Sequence, residues 1–377
     1  MAKIAIIGAL PESLVNFRGD LIKTLAHSGH HVIAMAGPAS KETIGILEDF
    51  GAVFISYPIQ RSGMNPRKDF ETLLSLYKIL EQEKPDIILA YTIKPVIWGG
   101  IASRLLGISH RFHAMITGLG LSFQSDTFKE NLIKVLVSSL FKFSLHRSSK
   151  VIFQNKDNQQ TFLKERIIKN HQSFVVNGSG VSLETFIQEP LPNEGSLVFL
   201  TIARLLKAKG LREFVRAAEK VKIIYPDVQF KLLGPEDPSP DGIPMPEVNR
   251  WHKAGAIEYC GMSQDVRPWL KQCHVFVLNS YHEGMPRSVL EAMATGRPII
   301  TTDVPGCRET VIENKNGYLI PKKNSDALSS AIIKMIENQD QLAAMGDYSR
   351  KIAEEKFDVI KINEALVNIM GLSRYST

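Results

Sequence analysis

Short apolar runs of four to six residues alternate with longer segments of helical period in the first half of the chain. Two of the helical segments are Arg67–Gln82 and Phe128–Leu145. This alternation predicts right-handed βαβ units and a parallel sheet. The strands predicted in this half are Ile4–Ile7, His31–Met35, Val53–Tyr57, Asp86–Tyr91, Arg111–Ile116 and Lys150–Gln154.

The pattern begins again after a polar, proline-containing segment, Ser182–Ser196, which we interpret as a linker between two domains. Pro235–Pro246 holds five prolines and is predicted as a loop, and Asp358–Leu372 is predicted as the last helix. Two doubly wound sheets bind ligands at the carboxyl ends of their strands, so the cleft between the domains is the predicted ligand site. The strands predicted in this half are Leu197–Ile202, Gln229–Gly234, Ala256–Gly261, His274–Leu278 and Pro298–Thr302.

The composition is that of an ordinary soluble protein. The 377 residues exceed the usual size of one hydrophobic core, which agrees with two domains. No run approaches the roughly 20 apolar residues of a membrane span, and no secretory signal follows Met1, so we expect a cytoplasmic protein. Cys260, Cys273 and Cys307 have neither metal-ligand nor disulfide spacing and are predicted to be small buried side chains.

Positive charge is concentrated in the first half of the chain. Residues 1–180 hold 21 Lys and Arg against 14 Asp and Glu, a net +7, whereas residues 181–377 hold 24 against 25, a net −1. Such an excess favours an anionic membrane, a phosphorylated substrate or a nucleic acid as partner, unless it is a surplus of solvated lysines. A nucleic acid is the least favoured, because basic runs with interleaved aromatic residues are lacking.

The most specific motif spans residues 279–298 and contains the pattern Glu283-Gly284-x-Pro286-x4-Glu291. Gly284 allows a tight turn near a ligand, Pro286 suits the first turn of a helix, and the helix N-terminus favours phosphate or sugar oxygens. Glu283 and Glu291 are about two helical turns apart, so both carboxylates can face one cleft and accept hydrogen bonds from sugar hydroxyls. Taken alone, each glutamate has an equally good structural explanation, Glu283 as a capping residue and Glu291 as an ordinary helix glutamate.

A second motif, Arg204-Leu-Leu-Lys207-Ala-Lys209-Gly210, follows the first strand of the second domain and begins a helix. Positive charge at this position suits a leaving diphosphate, on which negative charge develops as the bond breaks. Arg binds phosphate in a bidentate manner and Lys acts as a point charge. Since the helix dipole disfavours basic residues at a helix start, Arg204 and Lys209 are interpreted as functional, and Lys207 as solvated surface.

Strand ends of the first domain supply further candidates. The turn after the first strand holds Gly8 and the run Asn16-Phe17-Arg18, but no Gly-x-Gly-x-x-Gly, which argues against dinucleotide binding. Arg18 is either a phosphate ligand or a surface cap. Lys94 follows the fourth strand and Thr117-Gly118-Leu119-Gly120 follows the fifth, so both segments face the predicted cleft.

These motifs resemble those of the retaining glycosyltransferases of family 4, which have the GT-B fold, an α/β architecture of two Rossmann-like domains facing a cleft. The resemblance covers nearly the whole chain and is strongest over residues 197–320. It implies that residues 1–181, joined by the C-terminal helix 358–377, bind the acceptor, and that residues 182–357 bind the nucleotide sugar. The catalytic residues that it implies are Arg204 and Lys209 on the leaving diphosphate and Glu283 at the donor sugar. The donor-binding residues that it implies are Gly8, Arg18, Gly284, Met285, Pro286 and, at the ribose, Glu291.

The Asn-Phe-Arg and Thr-Gly-Leu-Gly runs resemble a subgroup that extends sugars on polyprenyl diphosphate carriers. This implies a UDP-sugar donor, an N-acetylhexosamine such as GalNAc, and a lipid-linked saccharide acceptor bound by Asn16, Lys94, Thr117 and Gly118. The chain departs from many members by lacking a histidine near Thr117, and His113 is interpreted as a core residue. The resemblance implies retaining transfer, and because no Asp-x-Asp occurs, we expect it to proceed without a metal ion or other cofactor.

The segment Phe128–Lys150 is apolar around much of its circumference and carries scattered basic residues. It is either an interfacial helix on an anionic leaflet or a helix packed on the sheet. A lipid-linked acceptor favours the surface interpretation, so we expect a peripheral protein at the inner face of the bacterial inner membrane. The basic residues expected to contact the membrane are Lys129, Lys134, Lys142, Arg147 and Lys150.

Two other functions remain open for this fold. A nucleotide-sugar epimerase or hydrolase would release UDP or free sugar without an acceptor. A non-catalytic protein that binds nucleotide sugars is the other alternative, and the intact set of Arg204, Lys209, Glu283 and Glu291 argues against it.

Overall fold

The computed structural model describes residues 1–60, 63, 65–119, 128–193 and 195–372, and of residues 128–130 it describes the backbone only. The chain forms two compact units, one of Met1–Ser179 with Val359–Thr377 and one of Gly180–Asp358. The last helix therefore belongs to the first unit. The assignment of acceptor binding to one unit and donor binding to the other stays a prediction.

Unit 1 contains a seven-stranded parallel sheet with the strand order β3-β2-β1-β4-β5-β6-β7. The order reverses between β1 and β4, where the carboxyl ends of doubly wound strands form a crevice. The strands are β1 (Lys3–Ile7), β2 (His31–Ala36), β3 (Ala52–Ser56), β4 (Ile87–Tyr91), β5 (Phe112–Ile116), β6 (Lys150–Phe153) and β7 (Ser173–Val175). The helices are α1 (Pro11–His27), α2 (Lys41–Asp49), α3 (Pro66–Glu83), α4 (Ile93–Leu105), α5 (Phe128–Ser144), α6 (Lys156–Lys164) and, at the C-terminus, α13 (Val359–Ile369).

Helices cover both faces of this sheet, which explains why apolar residues follow one another along most of its strands instead of alternating with polar ones. Along β1, Ile4 and Ile6 pack with residues of α1, α2 and α13, whereas Ala5 and Ile7 pack with residues of α3, α4 and α5. Polar caps start several of the helices. The side chains of Ser40 and Asn65, for example, accept hydrogen bonds from the free backbone N–H groups of α2 and α3.

Unit 2 contains a six-stranded parallel sheet with the order β10-β9-β8-β11-β12-β13. The strands are β8 (Val198–Ile202), β9 (Gln229–Leu233), β10 (Glu258–Tyr259), β11 (Val275–Leu278), β12 (Ile299–Thr302) and β13 (Gly317–Ile320). The helices are α7 (Leu211–Ile224), α8 (Met245–Lys253), α9 (Arg267–Lys271), α10 (Arg287–Ala294), α11 (Ser325–Glu337) and α12 (Leu342–Ile352).

The prediction of a linker at Ser182–Ser196 is wrong, because this segment lies within unit 2 and packs against the rest of that unit. Phe186 is 7% exposed. The buried guanidinium of Arg297 donates through Nη2 to the carbonyl oxygens of Glu189 and Pro190, at 2.8 and 3.0 Å. Backbone carbonyl groups of the segment thus bind a buried side chain of the unit, and a sequence pattern does not distinguish such a segment from a flexible connection.

Two strands escaped prediction. β7 has three half-buried residues, and β13 begins at a glycine whose added Cβ would lie 1.7 Å from the Ile299 carbonyl oxygen. The predicted strand Ala256–Gly261 shortens to β10, and Pro246 lies in α8 rather than in the proline-rich loop. Of the cysteines predicted to be buried, Cys273 and Cys307 are buried, and Cys260 is partly exposed.

Candidate active site

The two strongest sequence motifs follow neighbouring strands of unit 2. β8 and β11 pair in parallel, with Phe199 opposite Val275 and Leu200 opposite Phe276. Because the carboxyl ends of parallel strands meet at one edge of the sheet, the segments that follow β8 and β11 lie next to each other. The strand order also reverses between β8 and β11, the position at which doubly wound sheets bind ligands.

Lys209 and Glu283 form an ion pair through Nζ and Oε1. The Lys207–Lys209 turn ends at Gly210, whose φ of 65° directs the chain into α7. A Cβ at Gly210 would lie 2.0 Å from the Asn279 carbonyl oxygen, so glycine permits the close approach of the two segments. Glu283 Oε1 also accepts a hydrogen bond from Ser280 Oγ at 2.6 Å. Sequence reasoning found both charged residues, but not their pairing.

Three further hydrogen bonds join the same two segments. The Tyr281 backbone N–H donates to the Ala208 carbonyl oxygen at 2.8 Å, and Asn279 Nδ2 donates to the Gly210 carbonyl oxygen at 3.3 Å. The Tyr281 hydroxyl donates to Glu213 Oε1 at 2.8 Å. Burial, together with this carboxylate, raises the pKa of Tyr281, so the hydroxyl stays a donor. These contacts hold Lys209 and Glu283 in a fixed frame.

Arg204 lies two residues after the end of β8, and its side chain is 43% exposed. Its Nη1 donates to Oδ2 of Asp237, which lies in the loop after β9 and is almost fully buried. Sequence reasoning missed Asp237, since an isolated aspartate in a proline-rich loop carries no sign of its partner. The pairing leaves much of the Arg204 guanidinium accessible to an anion.

Glu291 lies in α10, one helical turn after Arg287, and the two side chains pair through Oε1 and Nε at 2.8 Å. Burial raises the pKa of the Glu291 carboxyl above its usual value, and this effect outweighs the opposing influence of Arg287. Sequence reasoning also missed Arg287, although its i,i+4 spacing from Glu291 was a usable signal. Pro286 occupies the N-cap of α10, and the Met285 side chain packs in the core.

Gly284 lies against the loop after β12. A Cβ added to Gly306 in that loop, at a φ of 85°, would lie 2.5 Å from the Gly284 carbonyl oxygen. Two buried threonines also stabilise this edge of the sheet. The hydroxyls of Thr301 and Thr302 donate to the carbonyl oxygens of Leu278 and Ser280. The backbone at Gly284 is therefore held in place by its surroundings.

In unit 1, Gly8 follows β1 and contacts two buried tyrosines. The Tyr57 hydroxyl donates to the Gly8 carbonyl oxygen at 2.6 Å. A Cβ at Gly8 would lie 2.3 Å from the Tyr91 hydroxyl, which also contacts Ser13 Oγ at 2.7 Å. Packing against Tyr91 thus accounts for a glycine at this position. Donor binding by Gly8 stays a prediction.

The predicted N-terminal turn ends earlier than expected, because α1 begins at Pro11 and includes Asn16-Phe17-Arg18. Asn16 is exposed. Arg18 is 2% exposed, and its guanidinium carbon lies 5.1 Å from the centroid of the Tyr91 ring. The interpretation of Arg18 as a surface cap is therefore wrong, and the phosphate-binding role stays a prediction.

Lys94 lies in the first turn of α4 and pairs with Asp69 of α3, with 2.7 Å between Nζ and Oδ1. Both side chains are mostly buried. Thr92, the N-cap residue of α4, has a φ of 69° and a ψ of 165°, a conformation uncommon for residues with a side chain. Strained residues of this kind cluster at ligand sites.

Thr117 and Gly118 follow β5 and are partly buried, and Gly120 of the same run lies outside the described residues. His113 is 4% exposed within β5. Burial lowers its pKa to about 4, so His113 is a neutral core residue at physiological pH, as the sequence indicated.

α5 exposes an apolar stripe on the side that faces away from the sheet. Phe141 is fully buried in the core, whereas the stripe residues are about half exposed or more. These stripe residues are Leu132, Val135, Leu136 and Phe143, at 64, 63, 48 and 45%. The helix thus packs on the sheet with one side and presents an apolar surface with the other. Across the described ranges, no helix is long and apolar enough to cross a membrane.

The basic residues near α5 differ in their surroundings. Lys134 pairs with Glu165, the C-cap residue of α6, at 2.7 Å. Lys150 begins β6, and its Nζ lies 4.8 Å from the centroid of the Phe174 ring. Lys142 and Arg147 are exposed, and the side chain of Lys129 lies outside the described residues.

The two sheets and the paired motifs define the class of protein. Residues 3–155 match the family model described as glycosyl transferase 4-like, and residues 183–352 match the model described as glycosyl transferases group 1. The chain belongs to this glycosyltransferase family, and the predicted GT-B fold is confirmed.

Several relatives match most of the chain, among them the following two. It is 30% identical over 349 residues to the N,N'-diacetylbacillosaminyl-diphospho-undecaprenol alpha-1,3-N-acetylgalactosaminyltransferase of Campylobacter jejuni, covering 89% of this chain and 90% of the relative. It is 28% identical over 313 residues to the UDP-Gal:alpha-D-GlcNAc-diphosphoundecaprenol alpha-1,3-galactosyltransferase of Escherichia coli, covering 78% and 77%.

Solved structures show the same fold. Sucrose-phosphate synthase from Thermosynechococcus elongatus superposes with a TM-score of 0.79 at 19% identity, over 100% of both chains. HepE of Anabaena, in complex with UDP and glucose, superposes with a TM-score of 0.77 at 18% identity, over 98% of this chain and 100% of that one.

Proposed function

We propose that this glycosyltransferase moves a sugar from a UDP-sugar to a saccharide linked to polyprenyl diphosphate, with retention of configuration and without a metal ion. The observation that carries the proposal is the Lys209–Glu283 ion pair at the strand-order reversal of unit 2, with Arg204 and Glu291 on the adjoining segments. Two cations suit a diphosphate leaving group, and two carboxylates suit the hydroxyls of a sugar and a ribose.

In the proposed reaction, an acceptor hydroxyl attacks the anomeric carbon on the face from which UDP departs. The bond between that carbon and the β-phosphate oxygen breaks, and a phosphate oxygen takes the proton of the attacking hydroxyl. Arg204 and Lys209 stabilise the charge that develops on UDP, and Glu283 orients the donor sugar. Glu291 accepts hydrogen bonds from the ribose. The cationic groups supply the charge compensation that a divalent ion provides in other transferases.

The lipid-linked acceptor is supported by the names of the two relatives, both of which act on sugars linked to undecaprenyl diphosphate. One of them transfers N-acetylgalactosamine, which supports GalNAc as the sugar here. Asn16, Lys94, Thr117 and Gly118 are the acceptor-binding residues of the proposal, and the strained backbone of Thr92 beside Lys94 supports a ligand at this strand end.

We further propose that unit 1 binds the anionic surface of the cytoplasmic leaflet through the α5 stripe. An acceptor with a polyprenyl tail stays in the bilayer, so the enzyme has to meet it there. The stripe supplies apolar area, and the exposed Lys142 and Arg147 supply charge, each worth about 1 kcal/mol near an anionic membrane. Arg104 adds a guanidinium 4.1 Å from the Phe143 ring centroid.

The experiment that tests the proposed function is a donor panel. UDP-GalNAc, UDP-GlcNAc, UDP-Gal and UDP-Glc are incubated with synthetic polyprenyl diphosphate sugars, with and without a chelator, and the anomeric configuration of the product is determined by NMR. We expect an acceptor-dependent α-linked product that forms equally well with the chelator. UDP release independent of the acceptor would indicate a hydrolase or epimerase, and UDP binding without any product would indicate a non-catalytic protein.

A further inference from the structure

The loop after β9, residues 235–243, contains most of the five prolines that marked it in the sequence, and it borders the segment that carries Arg204. We call residues 235–243 the proline loop. Three backbone hydrogen bonds of 2.8 to 2.9 Å join the two segments. They run from Leu205 N to the Pro235 oxygen, from Lys207 N to the Asp241 oxygen and from Ile243 N to the Leu205 oxygen. The proline loop therefore acts as a support for the basic segment.

Both aspartates of the proline loop bind the basic segment. Asp237 Oδ2 accepts from Arg204 Nη1 at 2.5 Å, and Asp241 Oδ2 accepts from the Ala208 backbone N–H at 3.2 Å. Asp237 is itself held, because its Oδ1 accepts from the Ser239 backbone N–H at 3.0 Å. Burial acts to raise the pKa of Asp237, but the hydrogen bonds from Ser239 and the charge of Arg204 outweigh it and lower the pKa. Asp237 is thus an ionised, fixed group.

The two partners of this ion pair differ in accessibility. The Asp237 side chain is 6% exposed and the Arg204 side chain is 43% exposed. A Cβ at Gly242 would lie 2.1 Å from the Asp237 carbonyl oxygen, so the loop closes tightly around the aspartate. A guanidinium has five N–H donors, and the bond to Asp237 Oδ2 uses Nη1 only. Within the described part of the chain no other acceptor binds this guanidinium, so its remaining donors are available to an anion.

We propose that Asp237 is a positioning residue that holds the Arg204 guanidinium in the orientation in which it meets the donor diphosphate. This inference rests on the proposed role of Arg204. An arginine fixed before the donor arrives does not lose side-chain freedom on binding, and its charge is already placed where negative charge develops. Since Asp237 acts through Arg204, removing the charge of Asp237 is expected to weaken UDP binding only in a protein that still contains Arg204.

The test is a double-mutant cycle in the full chain, with UDP as the probe and calorimetry as the measurement of its Kd. Asp237→Asn is expected to weaken UDP binding about tenfold in the wild-type background and to change it less than twofold in Arg204→Ala, because the lost contact then has no partner. Asp237→Glu, which keeps the charge, is expected to recover part of the affinity. Asp326→Asn serves as the matched control, since it breaks the exposed Lys220–Asp326 ion pair of the same unit.

Tighter or unchanged UDP binding by Asp237→Asn overturns the inference, because the aspartate then competes with the diphosphate or does not affect Arg204. An equal loss in both backgrounds also overturns it, since the effect is then general to the fold. Thermal unfolding shows which variants fold, and Asp237→Ala, which also removes the charge, takes the place of Asp237→Asn in the cycle if the latter does not fold. Wild-type UDP affinity and turnover in Arg204→Ala contradict the proposed role of Arg204 itself. By contrast, weaker UDP binding by Arg204→Ala together with wild-type UDP binding by Asp237→Asn contradicts the role of Asp237 alone.

Discussion

Lys209 and Glu283 are 74 residues apart in the chain, and their side chains meet in an ion pair where the segments after β8 and β11 adjoin. The pair is mostly buried, with 20% and 13% of the two side chains exposed. A donor diphosphate that reaches Lys209 therefore also comes near the carboxylate that is proposed to orient the sugar.

Replacing Lys209 by Ala is expected to lower kcat about 100-fold or more, because one preorganised charge contact to the leaving group is lost. Lys207→Ala is the matched control, since Lys207 lies in the same turn but its Nζ donates to the exposed Pro240 carbonyl oxygen. We expect the control to stay within about twofold of the wild type. Steady-state kinetics with the donor identified in the panel measure both, and equal activity of the two variants contradicts the assignment of Lys209.

Glu291 predicts a pH dependence of UDP binding. Burial raises its pKa above the usual 4.5, so the carboxyl takes up a proton at a higher pH than an exposed glutamate does. Protonation removes charge from the group proposed to accept the ribose hydrogen bonds, and UDP affinity should therefore fall as the pH decreases towards 4.5. Glu291→Gln should bind UDP about tenfold more weakly at neutral pH and should lack this acid limb. Calorimetry over a pH series checks both expectations. If UDP affinity falls with decreasing pH in Glu291→Gln as it does in the wild type, Glu291 does not bind the ribose.

Gly8 and Gly45 predict opposite effects of the same substitution. Gly8→Ala places a methyl group 2.3 Å from the Tyr91 hydroxyl and is expected to destabilise the fold by about 1–3 kcal/mol. Gly45 lies in α2 with open space around it, so Gly45→Ala is expected to stabilise by about 0.5–1 kcal/mol. Chemical denaturation measures both. If Gly8→Ala loses activity at unchanged stability, the glycine serves a ligand rather than packing.

His113 predicts acid sensitivity of the fold. Burial lowers its pKa from 6.5 to about 4, so the unfolded chain binds the proton more tightly than the folded protein between these values. Stability should fall by up to about 3 kcal/mol as the pH decreases from 6.5 to 4. His113→Leu should show a smaller fall over this range, whatever its stability at neutral pH, whereas the exposed control His110→Leu should behave like the wild type. Equal pH dependence in all three proteins rules out His113 as the source.

The α5 stripe predicts membrane binding. The double variant Leu132→Ser and Val135→Ser should reduce sedimentation with anionic vesicles at least about tenfold, because each exposed apolar side chain contributes about 1 kcal/mol on burial. Ile223→Ser with Ile224→Ser is the matched control, since both residues are exposed on α7 of unit 2. High salt and Lys142→Glu should each weaken vesicle binding, because each reduces the attraction between the protein and the anionic surface. Lys142 is chosen instead of Lys134, since Lys134 already pairs with Glu165. If the wild-type protein does not sediment with anionic vesicles at low salt, the proposal is contradicted.

Most elements of the fold could be predicted because their causes are local. A strand buried on both faces carries consecutive apolar residues, as β1 does from Ile4 to Ile7, and a helix on the sheet has to repeat its apolar residues with a helical period, as α3 does. The failures arose where tertiary contacts decide. β7 has only three residues, and Ser182–Ser196 is held to unit 2 by the buried Arg297 and by Arg350.

The sequence by itself determined which residue types stand at the strand ends, and these included Arg204, Lys209, Glu283 and Glu291. Only the tertiary structure decided which side chains meet, because a contact between distant residues depends on strand register and loop path rather than on local pattern. Asp237 lies 33 residues from Arg204, and the pairing of β8 with β9 brings the loops that follow them together. For the same reason the sequence did not show that the Tyr91 hydroxyl occupies the space of the side chain that Gly8 lacks.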